Sequence, residues 1–113
     1  MKNSLRNPSP PPPKGLSTAA RTRWRKLQAE YDITDAGGLQ ILAVGLEAFS
    51  RMQDAQARIR RDGITFTDRF GQVKAHPLLA CERDARAQYL ASLKALNLDL
   101  EPLRDRPGRP GGR

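Results

Sequence analysis

Apolar positions along the chain fall into three stretches with helical spacing and one that alternates. The first opens after Ser17, whose hydroxyl suits it to accept from the free N–H groups of a first helical turn. Ala20, Trp24, Leu27 and Tyr31 then recur three and four residues apart, which stacks them on one helix face. Arg21, Arg23, Arg25 and Lys26 cover the remaining surface. The element predicted over 17–31 is short, amphipathic and basic.

The second stretch starts at Thr34, the expected N-cap, with Asp35 favourable in the first turn of the helix dipole. Leu39, Leu42, Leu46, Phe49, Met52 and Ile59 form its main stripe, and Ile41, Val44 and Ala48 add apolar surface at an angle to it. Cover this wide predicts burial on more than one face. The helix runs to Asp62, with Gly63 as its stop, over roughly 40 Å at ~1.5 Å per residue. Gly37, Gly38 and Gly45 each cost about 1 kcal/mol relative to Ala in a helix interior. Close approach of another backbone would justify them; a frayed first turn is the alternative for the first two.

The period then changes. Ile64-Thr65-Phe66-Thr67 alternates and is rich in β-formers, Asp68-Arg69-Phe70-Gly71 reads as a turn with Gly71 at positive φ, and Gln72-Val73-Lys74-Ala75 returns. An isolated two-stranded hairpin is marginal in water, so Ile64, Phe66 and Val73 are expected to form a face that leans on the helices or on a neighbouring subunit. Pro77 suits the first position of a third helix, where its missing N–H costs nothing. Leu78, Cys81, Ala85, Tyr89, Leu93 and Leu96 give that helix its stripe, with Cys81 expected as a buried thiol, and Asn97 is placed to end it in the left-handed conformation. The short segment Leu98–Leu103 is expected to fold back on the core. The predicted fold is mainly α: three helices, the central one long, with a short β-hairpin.

The ends differ in composition. Residues 1–15 hold five prolines and read as a disordered arm, and residues 101–113 read as a flexible basic tail rich in Pro, Gly and Arg. The folded domain is then 16–100. With 113 residues and 38% hydrophobic content, a core is possible but thin, so partner subunits are expected to supply part of the burial.

Net charge is +8. Residues 1–33 carry seven Lys/Arg against two acids, whereas residues 34–97 carry nine against seven. A surplus concentrated at one end suits nucleic acid or an anionic surface, beside the plainer alternative of a solvated basic face. No apolar run approaches the ~20 residues of a membrane span, and no apolar stretch follows Lys2 and Arg6 as in a secretory signal. The expectation is an intracellular, soluble protein without membrane contact.

Little of the chain points to catalysis. The single histidine, His76, precedes Pro77 at a junction where an imidazole can cap a helix or bond a strand end. One cysteine excludes an internal disulfide and any multi-cysteine zinc site. GxxxxGK[ST] and GxGxxG are absent, and the acids sit among arginines at pairing distances such as Glu82 with Arg86. No catalytic residue, metal or cofactor is assigned. The nucleic-acid candidates are Lys14, Arg21, Arg23, Arg25 and Lys26, joined by Arg104, Arg106 and Arg109 of the tail. Trp24 lies on the apolar face and reads as core rather than as a stacking platform. Arg58, Arg60 and Arg61 complement the end of a helix dipole. Around Arg109 the run RPGRP resembles an AT-hook, with Pro107 where the usual hook has Arg.

In this order, the elements resemble the small terminase subunit of tailed double-stranded DNA phages, in its short helical branch with a hairpin before the last long helix. The resemblance is carried by PPPPKGLS at 10–17, RTRWRKL at 21–27, the Thr34-Asp35 helix start, LEAFSRMQDA at 46–55, RDGITFTDRFGQVKAHPLLA at 61–80 and LKALNLDLEP at 93–102. Where the branch often ends its last helix on Gly-Leu with a Pro two residues later, this chain has Asn97-Leu98 and a longer DLEP segment. The resemblance implies a non-enzymatic protein of the host cytoplasm, phage- or prophage-encoded. It would assemble into a homo-oligomeric ring, bind double-stranded viral DNA, and recruit and regulate the large terminase subunit, an ATPase and nuclease. Ile41, Val44, Ala48, Ile64, Phe66 and Val73 would then be the oligomer interface. Two alternatives stand beside it: a helix-turn-helix transcriptional regulator of phage or bacterial origin, built on 17–31 and 35–62, and a small nuclease using His76.

Overall fold

The first two helices each begin where a short polar side chain takes up a backbone N–H of the first turn. The computed structural model describes residues 9–98 and places α1 at Thr18–Tyr31, α2 at Ala36–Asp62, β1 at Thr65–Thr67, β2 at Val73–Ala75 and α3 at Leu78–Ala95. Three helices with one antiparallel two-stranded hairpin are the architecture predicted from the sequence.

Ser17 caps α1, its Oγ accepting from the Ala20 N–H at 3.1 Å. The same residue ties α1 to α2: its N–H donates to Ser50 Oγ at 3.0 Å and its hydroxyl reaches Gln53 Oε1 at 3.0 Å. α1 stops at Asp32, which is left-handed at φ 51 and donates its N–H to the Gln28 carbonyl at 2.9 Å. Buried Gln28 then accepts from the Ile33 N–H through Oε1 at 2.9 Å, which folds the chain sharply toward α2.

The cap of α2 is Asp35 rather than Thr34. Asp35 is extended and its carboxylate accepts from the Gly38 N–H at 2.8 Å. Gly38 is part of that cap, since a Cβ there would stand 2.8 Å from Asp35 Oδ1 and 2.9 Å from Ile33 Cγ2. Gly45 serves a different purpose. A Cβ on it would meet Ser92 Cβ at 2.7 Å, so its absence lets α3 lie close against α2.

The core lies along the α1–α2–α3 seam, with Leu42 and Leu46 as the largest fully enclosed side chains. Ala20, Trp24 and Leu27 enter from α1, and Tyr89 and Leu93 from α3. Phe49 and Tyr89 stack across the seam at 4.9 Å, tilted by 44°. Ala48, expected on an outward flank, has no exposure at all and packs inside this core.

The expected stripe of α3 is buried at Ala85, Tyr89 and Leu93 and partly buried at Leu78 and Leu96, but not at Cys81. Glu82, Ala85, Tyr89, Ser92 and Leu93 face inward, and Cys81 is exposed. Cys81 lies at the edge of the seam, about 100° round the helix from Glu82, which is buried in it. Its carboxylate is tolerated there because Gln56 Nε2 donates to it at 2.9 Å and Arg86 pairs with it one turn on. Those hydrogen bonds, Gln56 first and Arg86 second, hold the Glu82 carboxyl below its ordinary range. α3 ends at Asn97, left-handed at φ 62, and Leu98 turns back so that its N–H reaches the Leu93 carbonyl at 3.4 Å. Leu98 packs on the core; the rest of Leu98–Leu103 lies outside the described residues.

The part of the proline run that is described lies against α1. The Trp24 indole N–H donates to the Pro10 carbonyl at 2.9 Å, and Pro10–Pro12 line a cavity of about 390 Å³ with Trp24, Arg25 and Gln28. An extended proline chain keeps its carbonyls unbonded, so it suits a buried indole that needs an acceptor.

Candidate nucleic-acid and subunit interfaces

The basic residues of α1 divide by what they touch. Arg25 and Lys26 are exposed, as is Lys14 in the turn before the helix. Arg21 is half-buried and engaged: Nη1 donates to the Leu16 carbonyl at 2.7 Å and Nη2 to Thr18 Oγ1 at 3.4 Å. Arg23 lays its guanidinium 4.8 Å from the Phe49 ring centre. Burial pushes the neighbouring Tyr89 phenol upward, and Arg23 opposes that push. Ala19, Thr22, Arg23 and Lys26 share one face and line a shallow hollow of about 380 Å³, where small side chains between two cations leave room for an anionic backbone. Trp24 is buried and offers no stacking platform. Arg104, Arg106 and Arg109, with the AT-hook-like run, lie outside the described residues.

The hairpin presents its apolar residues to solvent. Thr65 pairs with Ala75, Phe66 with Lys74 and Thr67 with Val73. Directly paired residues share a sheet face, so Phe66 and Val73 point to opposite sides instead of forming one surface. Both strands are exposed throughout, with Ile64 at 63% and Val73 at 70%. The turn is held by Asp68, whose Oδ1 accepts from the Phe70 and Gln72 N–H groups at 2.8 and 2.9 Å, while Gly71 takes φ 80. These bonds, that from Gln72 foremost, lower the Asp68 carboxyl below its ordinary range. Phe70 stands at the tip, 77% exposed, with the Arg69 guanidinium 5.4 Å from its ring. Reading Phe70 only as a turn residue missed this; an aromatic inside a tight turn, where nothing local can cover it, was the available signal.

A second apolar surface lies at the other end of the helical pair. Ile41 and Val44 of α2 and Ala91 and Ala95 of α3 border a groove of about 430 Å³, flanked by Gln40 and Gln88. Ile41 is half-buried and Val44 exposed, whereas Ala48 is sealed inside.

His76 is the junction residue that its position suggested. Its backbone N–H donates to the Ile64 carbonyl at 2.8 Å, and its Nδ1 accepts from the Leu78 N–H at 3.0 Å. With Nδ1 accepting, Nε2 carries the proton and donates to Asp62 Oδ2 at 3.0 Å. Asp62 also receives Arg61, and the two bonds, Arg61 first, bring its carboxyl down to about 2. Among the described residues, no three His, Cys, Asp or Glu side chains converge as a metal site would require, and no helix is long and apolar enough to cross a membrane.

A family model described as phage terminase, small subunit, matches residues 20–102, from α1 to just past the end of α3. No protein of curated function and no solved structure matches the chain.

Proposed function

The chain belongs to the phage terminase small-subunit family, and on that premise we propose that it is the DNA-recognising, non-catalytic subunit of a genome-packaging complex in the infected or prophage-bearing host cell. It assembles into a homo-oligomeric ring, binds double-stranded viral DNA, and recruits and regulates the large ATPase–nuclease subunit. The observation carrying the DNA reading is the run of exposed cations Lys14, Arg25 and Lys26 beside the hollow bordered by Arg23. Arg21 and Arg23 contribute charge to the same region while their guanidinium groups also hold the α1 packing. The exposed hairpin and the α2–α3 groove support self-assembly, because large apolar residues left in water mark contact surfaces.

Salt dependence tests the DNA reading. With ~5 phosphates neutralised, log K falls against log salt with a slope near −4.5. Arg25→Ala with Lys26→Ala reduces that slope by about 2 without changing sequence preference. Binding that ignores salt would defeat the proposal. The helix-turn-helix alternative is less well supported, since α2 buries Leu42, Leu46, Ala48, Phe49 and Ala55 within the chain instead of presenting itself to a groove.

A further inference from the structure

We propose that the hairpin tip of one copy seats in the α2–α3 groove of the next, with Phe70 entering beside Val44 and Arg69 meeting Glu47. The inference rests on the reading of the chain as a self-assembling subunit and specifies which surface meets which.

The two surfaces differ in shape and suit each other. The tip is convex and carries a bare aromatic; the groove is concave, walled by small alanines and Val44, and its volume of about 430 Å³ accommodates a phenyl ring. The charges match as well. Lys74 is taken up by Asp68 at 3.4 Å, which leaves Arg69 as the cation at the tip. Glu47 is exposed one turn beyond Val44 on the same flank of α2.

Neither surface can satisfy the other within one chain. α2 is continuous from Val44 to Asp62, about 27 Å at 1.5 Å per residue. The hairpin has three-residue strands, about 10 Å long, and leaves from the far end of that helix. No other described segment of the chain lines the groove, and a second copy supplies a tip of the right shape and charge. Joining two different patches makes a heterologous contact, which propagates from copy to copy and closes into a ring when the rotation permits.

Native mass spectrometry of the full chain at micromolar concentration tests the pairing. The wild type gives assemblies of several copies, while Phe70→Asp and Val44→Asp each give monomer. Mixed in equal amounts, the two variants give a heterodimer that grows no further, because the Val44→Asp copy keeps its tip and the Phe70→Asp copy keeps its groove. Arg69→Glu weakens assembly about tenfold, and adding Glu47→Arg restores it. Phe70→Ser and Val44→Gln repeat the design with smaller changes, and circular dichroism checks that every variant remains helical. A wild type that assembles while the mixture stays monomeric, or that gives only homodimers, overturns the tip-in-groove pairing and leaves self-assembly standing. A monomeric wild type overturns both.

Discussion

Three atoms of His76 bond to three different elements. Its N–H extends the hairpin, Nδ1 caps the start of α3 and Nε2–H reaches Asp62 at the end of α2. Replacing it with Ala leaves the Leu78 N–H without its acceptor and opens a gap at a buried position, so His76→Ala is expected to cost about 1–2 kcal/mol. A lower urea midpoint at unchanged slope is the expected result, and His76→Asn, which retains an acceptor, should recover part of the loss. Asp62 gives this junction an acid dependence. Its folded value of about 2 lies below the ordinary 3.8, so its contribution is complete above about pH 4 and is lost as pH falls toward 2. Asp62→Asn should flatten the melting temperature across that window; an unchanged profile would show that the pair does not contribute. The junction role was legible from the His-Pro pair. The Asp62 partner was not, because fourteen residues separate the two in sequence and only the returning hairpin brings them together.

At the scale of elements, the α2–α3 seam depends on the missing side chain at Gly45. Gly45→Ala gains about 1 kcal/mol of helix propensity yet places a Cβ 2.7 Å from Ser92 Cβ, and overpacking of this kind costs about 1–3 kcal/mol. Net destabilisation in chemical denaturation is expected, relieved when Ser92→Gly removes the opposing atom. Periodicity showed that three helices existed and which way each faced. It missed one position of α3, because Cys81 is more apolar than Glu82 and nothing nearby in sequence announced that Gln56 and Arg86 would satisfy a carboxylate on the seam. Nor could composition show that the proline run has a partner. Trp24 is the chain's single tryptophan, so its fluorescence isolates that contact. Replacing Pro10–Pro13 with Gly and Ser should shift its emission to the red and cost about 1 kcal/mol; an unshifted spectrum would mean the run does not cover the indole.

For the whole molecule, the described helices carry a basic ridge on α1 and a bare apolar tip on the hairpin, so the proposed DNA contact and the proposed self-contact would draw on different elements. Phe70→Asp should therefore abolish assembly while leaving the monomer's salt-dependent affinity for short DNA within about twofold, and Arg25→Ala with Lys26→Ala should do the reverse. Fluorescence anisotropy and native mass spectrometry on the same samples separate the two. The basic ridge was legible because α1 alternates cations with a clear apolar seam. Of the groove, the Ile41 and Val44 wall was legible as the second apolar flank of α2; the α3 wall was not, because Ala91 and Ala95 count as weakly apolar and become a surface only when two helices lie side by side.

The exposure of Cys81 has a practical consequence. Cys81 leaves each copy with one exposed thiol and no second cysteine. Maleimide labelling under native conditions should add a single tag per copy, so the mass gained by an intact complex, divided by the mass of the tag, gives its stoichiometry directly. The same sulfur permits air oxidation to crosslink two copies, and Cys81→Ser is the background in which covalent pairs cannot be mistaken for assembly.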